Sequence, residues 1–218
     1  MKRMIIWLAV AMVALTVPAS ADVLVPLPSQ DPFYAVPAGI AGLPNGTILK
    51  SRPVDVSALS VPLPVRAWEL EYKSLDAHNR PTAMVTTVMV PLSAWSGPGP
   101  RPLLSYQVAE DGADSKCSVS YALHAGAASL LTESNASTET QLIAQTLQRG
   151  WTVVASDYEG PDSHFFAAGE EAHGVLDGIR AARVFAPAAI ARSAPVGMLG
   201  YSGGGYATCL LYTSDAAD

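Results

Sequence analysis

The pattern of apolar and polar positions divides the chain into two parts with different periods. Apolar and charged residues alternate over 68–74, which predicts a half-buried antiparallel strand, and a second β-rich run covers 83–90 after a polar turn. These two runs together predict a hairpin. Many prolines in residues 22–64 exclude regular helix there and predict an extended segment that wraps the domain.

After the hairpin, buried apolar strands alternate with helical segments. The predicted elements are strands over 103–108, 151–156 and 196–200 and helices over 138–149 and 170–185. The predicted inward faces consist of Leu142, Ile143 and Leu147 in the first helix and of Val175, Ile179 and Ala182 in the second. Strands joined by helices in this order predict right-handed βαβ units, and therefore a single α/β domain with a mostly parallel sheet.

The last apolar strand runs directly into the stretch Gly200-Tyr201-Ser202-Gly203-Gly204. This G-x-S-x-G spacing is typical of a nucleophile elbow, a sharp strand-to-helix turn that exposes a serine hydroxyl above the sheet. Gly200 and Gly204 lie two residues on either side of the serine, where a Cβ would collide across the turn. The N–H of Gly203 would point at the oxygen of a tetrahedral intermediate. A glycine-rich turn with an incidental serine is the alternative.

Composition and charge limit the location and the partners of the chain. Half of the 218 residues are hydrophobic and 15% are charged, which is typical of a globular protein with one sizeable core. Residues 1–21 combine Lys2 and Arg3, an apolar run shorter than the ~20 residues that span a bilayer, and a small-residue cleavage site. This predicts a signal peptide and a secreted or periplasmic location. The 11 basic and 19 acidic residues that remain argue against nucleic acid and anionic membrane surfaces as partners.

The C-terminal residues 209–218 differ in character from the chain before them. They resemble the translation of a transposon-end adapter used to prepare DNA libraries, and Thr213-Ser214-Asp215 interrupts the helical pattern that begins after the serine. We therefore expect a non-native tail at 209–218, which leaves 22–208 as the native domain. Cys117 is then the one cysteine that belongs to this domain.

Four stretches together resemble the secretory lipase family, which includes fungal lipase A enzymes and bacterial members. They are 31–34 (Asp-Pro-Phe-Tyr), 105–117, 157–161 with 176–181, and the elbow at 200–204. The resemblance implies the N-terminal part of an α/β-hydrolase that is truncated after the nucleophile elbow. It also implies Ser202 as the nucleophile, the backbone N–H groups of Asp111 and Gly203 as the oxyanion hole, and a disulfide from Cys117 to a later cysteine. The residues themselves point to the same region, because the second oxyanion donor of this fold follows the third strand.

The order of the triad residues decides whether the printed chain has activity. In this fold the serine precedes an Asp or Glu and then a His, but all four histidines lie before Ser202, at positions 78, 124, 164 and 173. Loss of a triad partner costs roughly 10⁴- to 10⁶-fold in turnover. We therefore expect the 218-residue chain to be inactive, and a longer parent to be a secreted serine carboxylic ester hydrolase that acts on triacylglycerols.

Other functions remain compatible with the same residues. The elbow would serve a short-chain esterase, an acyltransferase or a peptidase equally well, and an exported non-enzymatic binding protein could use the same scaffold. Asp157 could approach the substrate or hold a turn, whereas Asp177 and Arg180 are expected to form a structural pair. No His or Cys cluster has metal-ligand spacing, so no metal and no organic cofactor are predicted.

Overall fold

A computed structural model describes residues 25–126, 128–129 and 136–214. Its strands are β1 Ile48–Val54, β2 Ser57–Ala58, β3 Val61–Pro62, β4 Val65–Leu75, β5 Pro81–Pro91, β6 Leu103–Gln107, β7 Thr152–Ser156 and β8 Val196–Gly200. Its α-helices are α1 Val119–Ala125, α2 Ala136–Gln148, α3 Ala168–Val184 and α4 Gly203–Ser214. The predicted signal peptide at 1–21 lies outside the described residues. No helix in the described ranges is long and apolar enough to span a membrane.

A six-stranded sheet in the order β1-β4-β5-β7-β6-β8 organises these elements. The β4–β5 hairpin is antiparallel over its whole length, whereas β7, β6 and β8 are mutually parallel. Because β1 and β5 run opposite to the other four strands, most of the sheet points one way. The predicted α/β class, with an N-terminal hairpin leading into parallel strands, is confirmed.

Helices cover both faces of the sheet and make a three-layer domain. Successive residues of a strand point to opposite faces, so Leu104 and Val153 pack with α1 and α2, while Leu103 and Val154 pack with α3 and α4. The predicted inward faces of both long helices are confirmed, except that Leu142 is 44% exposed. Two faces of buried apolar side chains are what a parallel α/β sheet requires.

The alternation in β4 predicted that one face, which carries the charged residues, is exposed. In the structure this face is buried as well. Glu69 and Glu71 are 0% and 1% exposed. They lie under β1, where Arg52 pairs with Glu69 at 2.6 Å and Lys50 pairs with Glu71 at 3.1 Å. Residues 28–35 cover these pairs as short 3₁₀ helices, and Phe33 stacks on the Arg52 guanidinium at 4.2 Å. The proline-rich segment therefore covers buried ion pairs, and it also contributes β1 and the short strands β2 and β3, which were not predicted.

Two helices differ from the sequence prediction. Residues 119–125 fall between the predicted elements but form α1, whose seven residues are too few to show a helical period. The helix after the serine continues through α4 to Ser214, and Leu211 is 4% exposed in the core. The helical pattern was predicted to break at Thr213-Ser214-Asp215. Because α4 includes Thr213 and Ser214, this prediction is wrong as far as Ser214. The non-native origin of 209–218 stays a prediction, and 215–218 lie outside the described residues.

The predicted structural pair on α3 is confirmed. Arg180 Nη1 lies 2.8 Å from Asp177 Oδ1, and the Ser74 hydroxyl donates to Asp177 Oδ2 at 2.8 Å. Asp177 is fully buried, so these two partners compensate for the loss of water around its carboxylate. The pair joins α3 to β4.

Candidate functional site

Ser202 stands at a strained turn between β8 and α4. Its φ is +52°, in the left-handed region that non-glycine residues seldom adopt, and its side chain is exposed. The Ser202 carbonyl accepts the N–H of Tyr206 at 3.0 Å, so the serine is also the first residue that the α4 hydrogen-bond ladder uses. A strained serine between a strand and a helix is the context that the elbow motif requires.

The two flanking glycines are required by close backbone approaches. A Cβ on Gly200 would lie 2.1 Å from the Gly204 carbonyl oxygen, and a Cβ on Gly204 would lie 2.0 Å from the Gln107 carbonyl oxygen. Both distances are far below van der Waals contact, and both partners are backbone atoms. The second contact brings α4 against the carboxyl end of β6, which places the loop after β6 beside the serine.

Asp111, on the loop after β6, lies against the N-terminus of α4. A Cβ on Gly203 would be 2.0 Å from Asp111 Oδ1, so these two residues are in contact. Asp111 has a φ of +43°, a second strained position in the same site. The structure thus brings the three predicted site residues together: Ser202, Gly203 and Asp111.

The loop that contains Asp111 is held by hydrogen bonds on both sides. The Tyr158 hydroxyl donates to the Val108 carbonyl at 2.6 Å, and the Ala109 N–H donates to Glu139 Oε1 at 3.2 Å. The main-chain N–H groups of Asp111 and Gly112 lie near Glu159 and favour its charged form, which opposes the rise in the pKa of its carboxyl. Gly203 begins α4, where N–H groups have no partner within the helix.

Buried carboxyl groups surround this loop. Burial, together with the charge of Glu171, raises the pKa of Glu159 to about 7. Burial also raises the pKa of Glu171 to about 7, although main-chain hydrogen bonds oppose it. The pKa of Glu110 is raised well above its usual range by burial and by the charges of Asp157 and Glu159. These carboxyl groups are neutral over much of the range below pH 7, which limits the negative charge near a developing oxyanion.

The Asp157 carboxylate binds the start of α1 and does not face Ser202. Its Oδ1 accepts the Ser120 N–H at 2.9 Å and its Oδ2 accepts the Ser120 hydroxyl at 2.5 Å, at the start of α1. Burial raises the pKa of Asp157 to about 7, in spite of these hydrogen bonds. Of the two roles left open by the sequence, these contacts support the structural one.

Three of the four histidines have side-chain partners other than Ser202. They are Glu170 Oε2 for His164 at 2.8 Å, Glu69 Oε1 for His124 at 3.3 Å and Asn79 Oδ1 for His173 at 3.3 Å. Among the described residues, no hydrogen bond joins an imidazole to Ser202. This arrangement agrees with the sequence order, in which a triad histidine would follow the serine.

An aromatic surface beside the serine was missed by the sequence reasoning. Phe165 and Phe166 are 45% and 53% exposed, their ring centroids are 4.2 Å apart, and Phe166 lies 4.8 Å from the Tyr206 ring. Phe166 has a φ of +59°, which is unusual for a bulky residue. Two adjacent phenylalanines in a polar loop after a parallel strand were the available signal.

The strain at Ser202 leads to a stability prediction. Ser202→Gly removes the Cβ that is unfavourable at positive φ, whereas Ser202→Ala removes only the hydroxyl. We expect Ser202→Gly to be more stable than Ser202→Ala by about 1 kcal/mol. Urea unfolding of the two variants measures the difference, and equal midpoints would contradict the strained backbone.

The mixed sheet, the helices on both faces and the elbow together define an α/β-hydrolase. Residues 126–213 match the family described as secretory lipase. On this match and the similarities below, the chain belongs to the secretory lipase family over the part of the family's length that it spans.

Three similar proteins illustrate the match. The chain is 42% identical over 184 residues to a probable inactive lipase of Mycobacterium tuberculosis, covering 84% of this chain and 40% of that one. It is 41% identical over 199 residues to lipase 4 of Candida albicans, covering 89% and 42%. The structure of Candida antarctica lipase A in its closed state matches with a TM-score of 0.78 at 33% identity, covering 89% of this chain and 44% of that one. The chain thus spans about 40% of the length of these curated relatives.

Proposed function

We propose that a protein containing this chain hydrolyses carboxylic esters, with triacylglycerols as the substrate class, through an acyl-enzyme on Ser202. The observation that carries the proposal is the strained, exposed serine between β8 and α4, in contact with the loop that contains Asp111. The lipase names of the relatives support the substrate class, and the predicted signal peptide supports secretion.

In the proposed reaction a general base, expected after Ser202 in the longer protein, takes the proton of the Ser202 hydroxyl as its Oγ attacks the ester carbonyl carbon. A new Oγ–C bond forms, the carbonyl oxygen becomes an oxyanion, and the N–H groups of Gly203 and Asp111 donate to it. The C–O bond to the leaving alcohol then breaks, and the alcohol takes a proton from the general base before water releases the acid.

The apolar surroundings of the serine favour an acyl chain over a polar group. The exposed rings of Phe165 and Phe166 lie beside Tyr206, one helical turn after Ser202. Aromatic side chains offer large apolar contact area at a wet surface. Short-chain esterase, acyltransferase and peptidase activities use the same elbow and stay as alternatives, because the fold does not fix the leaving group.

The base and the acid are expected after Ser202 in a longer protein, since this fold places them there. A fluorophosphonate probe, which labels only activated serines, tests the proposal. We expect labelling of the longer protein at Ser202, loss of labelling in Ser202→Ala and unchanged labelling in Ser193→Ala, a control on an exposed loop serine. The printed 218-residue chain should be labelled orders of magnitude more slowly.

Failure of the longer protein to react, while it stays folded, would contradict the proposal. It would favour the non-enzymatic binding scaffold, which is relevant because one relative is itself named a probable inactive lipase. Equal labelling of the parent and of Ser202→Ala would assign the nucleophile to another residue.

A further inference from the structure

A cavity lies at the opposite end of the sheet from Ser202, where the parallel strands begin. It has a volume of about 440 Å³. Its lining comes from the first residues of β4 and β7, the end of β5 with the loop after it, and the loops before β6 and β8. Ser202 follows the carboxyl end of β8, which is parallel to β6 and β7. The full length of these strands therefore separates the cavity from the candidate active site.

Two arginines line the cavity and no acidic side chain does. Three other arginines pair with carboxylates: Arg52 with Glu69, Arg80 with Asp76 and Arg180 with Asp177. Within the described residues, none of the ion pairs includes Arg66 or Arg101. Two positive charges therefore share one cavity without a counter-charge from the protein.

The Arg101 guanidinium is held by two main-chain carbonyls, and the exposed Arg66 contacts an aromatic ring. Arg101 Nη1 donates to the Gly150 carbonyl at 3.0 Å and its Nη2 donates to the Ser93 carbonyl at 2.6 Å. These bonds leave further N–H donors of the five that a guanidinium carries. The Arg66 guanidinium lies 5.6 Å from the centroid of the Trp68 ring, a cation–π contact. Burial and the charge of Arg66 lower the pKa of Arg101, as expected for two like charges that face one space.

The rest of the lining is largely apolar. It comprises Val90, Pro91, Leu92, Pro100 and Ile190, together with alanines at 94, 188, 189 and 191. Leu92 is 64% exposed at the rim. A ligand that fits this cavity therefore combines one anionic group with an apolar tail, and guanidinium groups match the planar geometry of a carboxylate.

We propose that this cavity binds an aliphatic monocarboxylate, with its carboxylate between Arg66 and Arg101 and its tail along Leu92 and Ile190. The net negative charge of the chain favours a single small anion over an extended anionic surface. An aliphatic carboxylate is also the acid that the proposed reaction would release. The site itself does not depend on that reaction, and its test needs no catalysis.

Titration calorimetry on the Ser202→Ala chain, with octanoate below its micelle concentration and at low salt, tests the proposal. We expect octanoate to bind more tightly than acetate, which lacks the tail, and more tightly than octan-1-ol or inorganic phosphate. Arg66→Gln and Arg101→Gln should each weaken octanoate about tenfold, because each removes a charge-assisted contact. Arg80→Gln, at the far end of the β4–β5 hairpin, is the matched control and should have no effect.

Because Arg101→Gln also breaks two backbone contacts, Ala191→Glu provides an independent variant. It adds a carboxylate at an exposed position of the lining and should abolish binding without touching either arginine. The proposal is overturned if octanoate and octan-1-ol bind equally, if phosphate binds more tightly than octanoate, or if Arg66→Gln and Ala191→Glu behave like Arg80→Gln.

Discussion

Gly204→Ala is expected to prevent the domain from folding. The added Cβ would lie 2.0 Å from the Gln107 carbonyl oxygen and 2.7 Å from its carbonyl carbon, both backbone atoms at the end of a central strand. Relief requires that α4 move away from β6, which would open the packing of Ala207 and Leu211 against the sheet. A cost above about 5 kcal/mol is comparable with the whole stability of many domains.

Gly205→Ala is the matched control, one residue further along the same helix. Its Cβ would meet the Gly200 carbonyl oxygen at 3.4 Å, an ordinary contact. Because alanine favours helix over glycine by up to about 1 kcal/mol, this variant should be as stable as the parent or slightly more so. Far-UV circular dichroism melts of the two variants measure the contrast. A cooperative melt of Gly204→Ala close to that of the parent would show that α4 and β6 are not in contact.

The domain is expected to be more stable at pH 5 than at pH 8. Asp157, Glu159 and Glu171 have folded-state pKa values of about 7, whereas free carboxyl groups titrate near 4. The folded state therefore holds more protons than the unfolded state between these values, and stability falls as the pH rises through about 7. The raised pKa of His164, beside Glu170, acts in the same direction. The pKa of Asp76 is lowered to about 2, which affects stability only below this range.

Thermal melts at constant ionic strength measure this effect. We expect the midpoint to fall by about 10 °C between pH 5 and pH 8, since each kcal/mol shifts a domain of this size by a few degrees. Glu159→Gln and Glu171→Gln should each flatten the curve, because each removes a carboxyl group with a raised pKa. Asp55→Asn, at an exposed position, should leave it unchanged. A midpoint that is constant or rises toward pH 8 would contradict neutral buried carboxyl groups.

The features that the sequence predicted correctly are those with local causes. The elbow was recognisable because glycines are required within two residues of the serine, and the structure shows the two backbone contacts that impose this requirement. The hairpin was recognisable because β4 and β5 are adjacent in sequence and β-rich. No local pattern marks Asp111. Its role was predicted from the family resemblance and from the position of the second oxyanion donor after the third strand of this fold.

The features that were missed depend on distant partners. The burial of Glu69 could not be read from β4, because its partner Arg52 lies 17 residues earlier along the chain, in a strand that contains a proline. Leu142 has the right spacing for the core but lies at the margin of the buried face. The aromatic surface at Phe165 and the cavity between Arg66 and Arg101 join residues that are separated along the chain by whole strands and helices.

The outer edge of β8 determines where this sheet can grow. Within the described residues β8 pairs only with β6, and Leu199 on this strand is 52% exposed. An additional parallel strand would satisfy the free main-chain groups of β8 and cover Leu199 in the same step. The carboxyl end of such a strand would lie next to Ser202, because the parallel strands all have their carboxyl ends on the side of the sheet where Ser202 lies. A peptide designed to add one strand at β8 is therefore a direct way to solubilise the domain and to place new chemistry beside the serine.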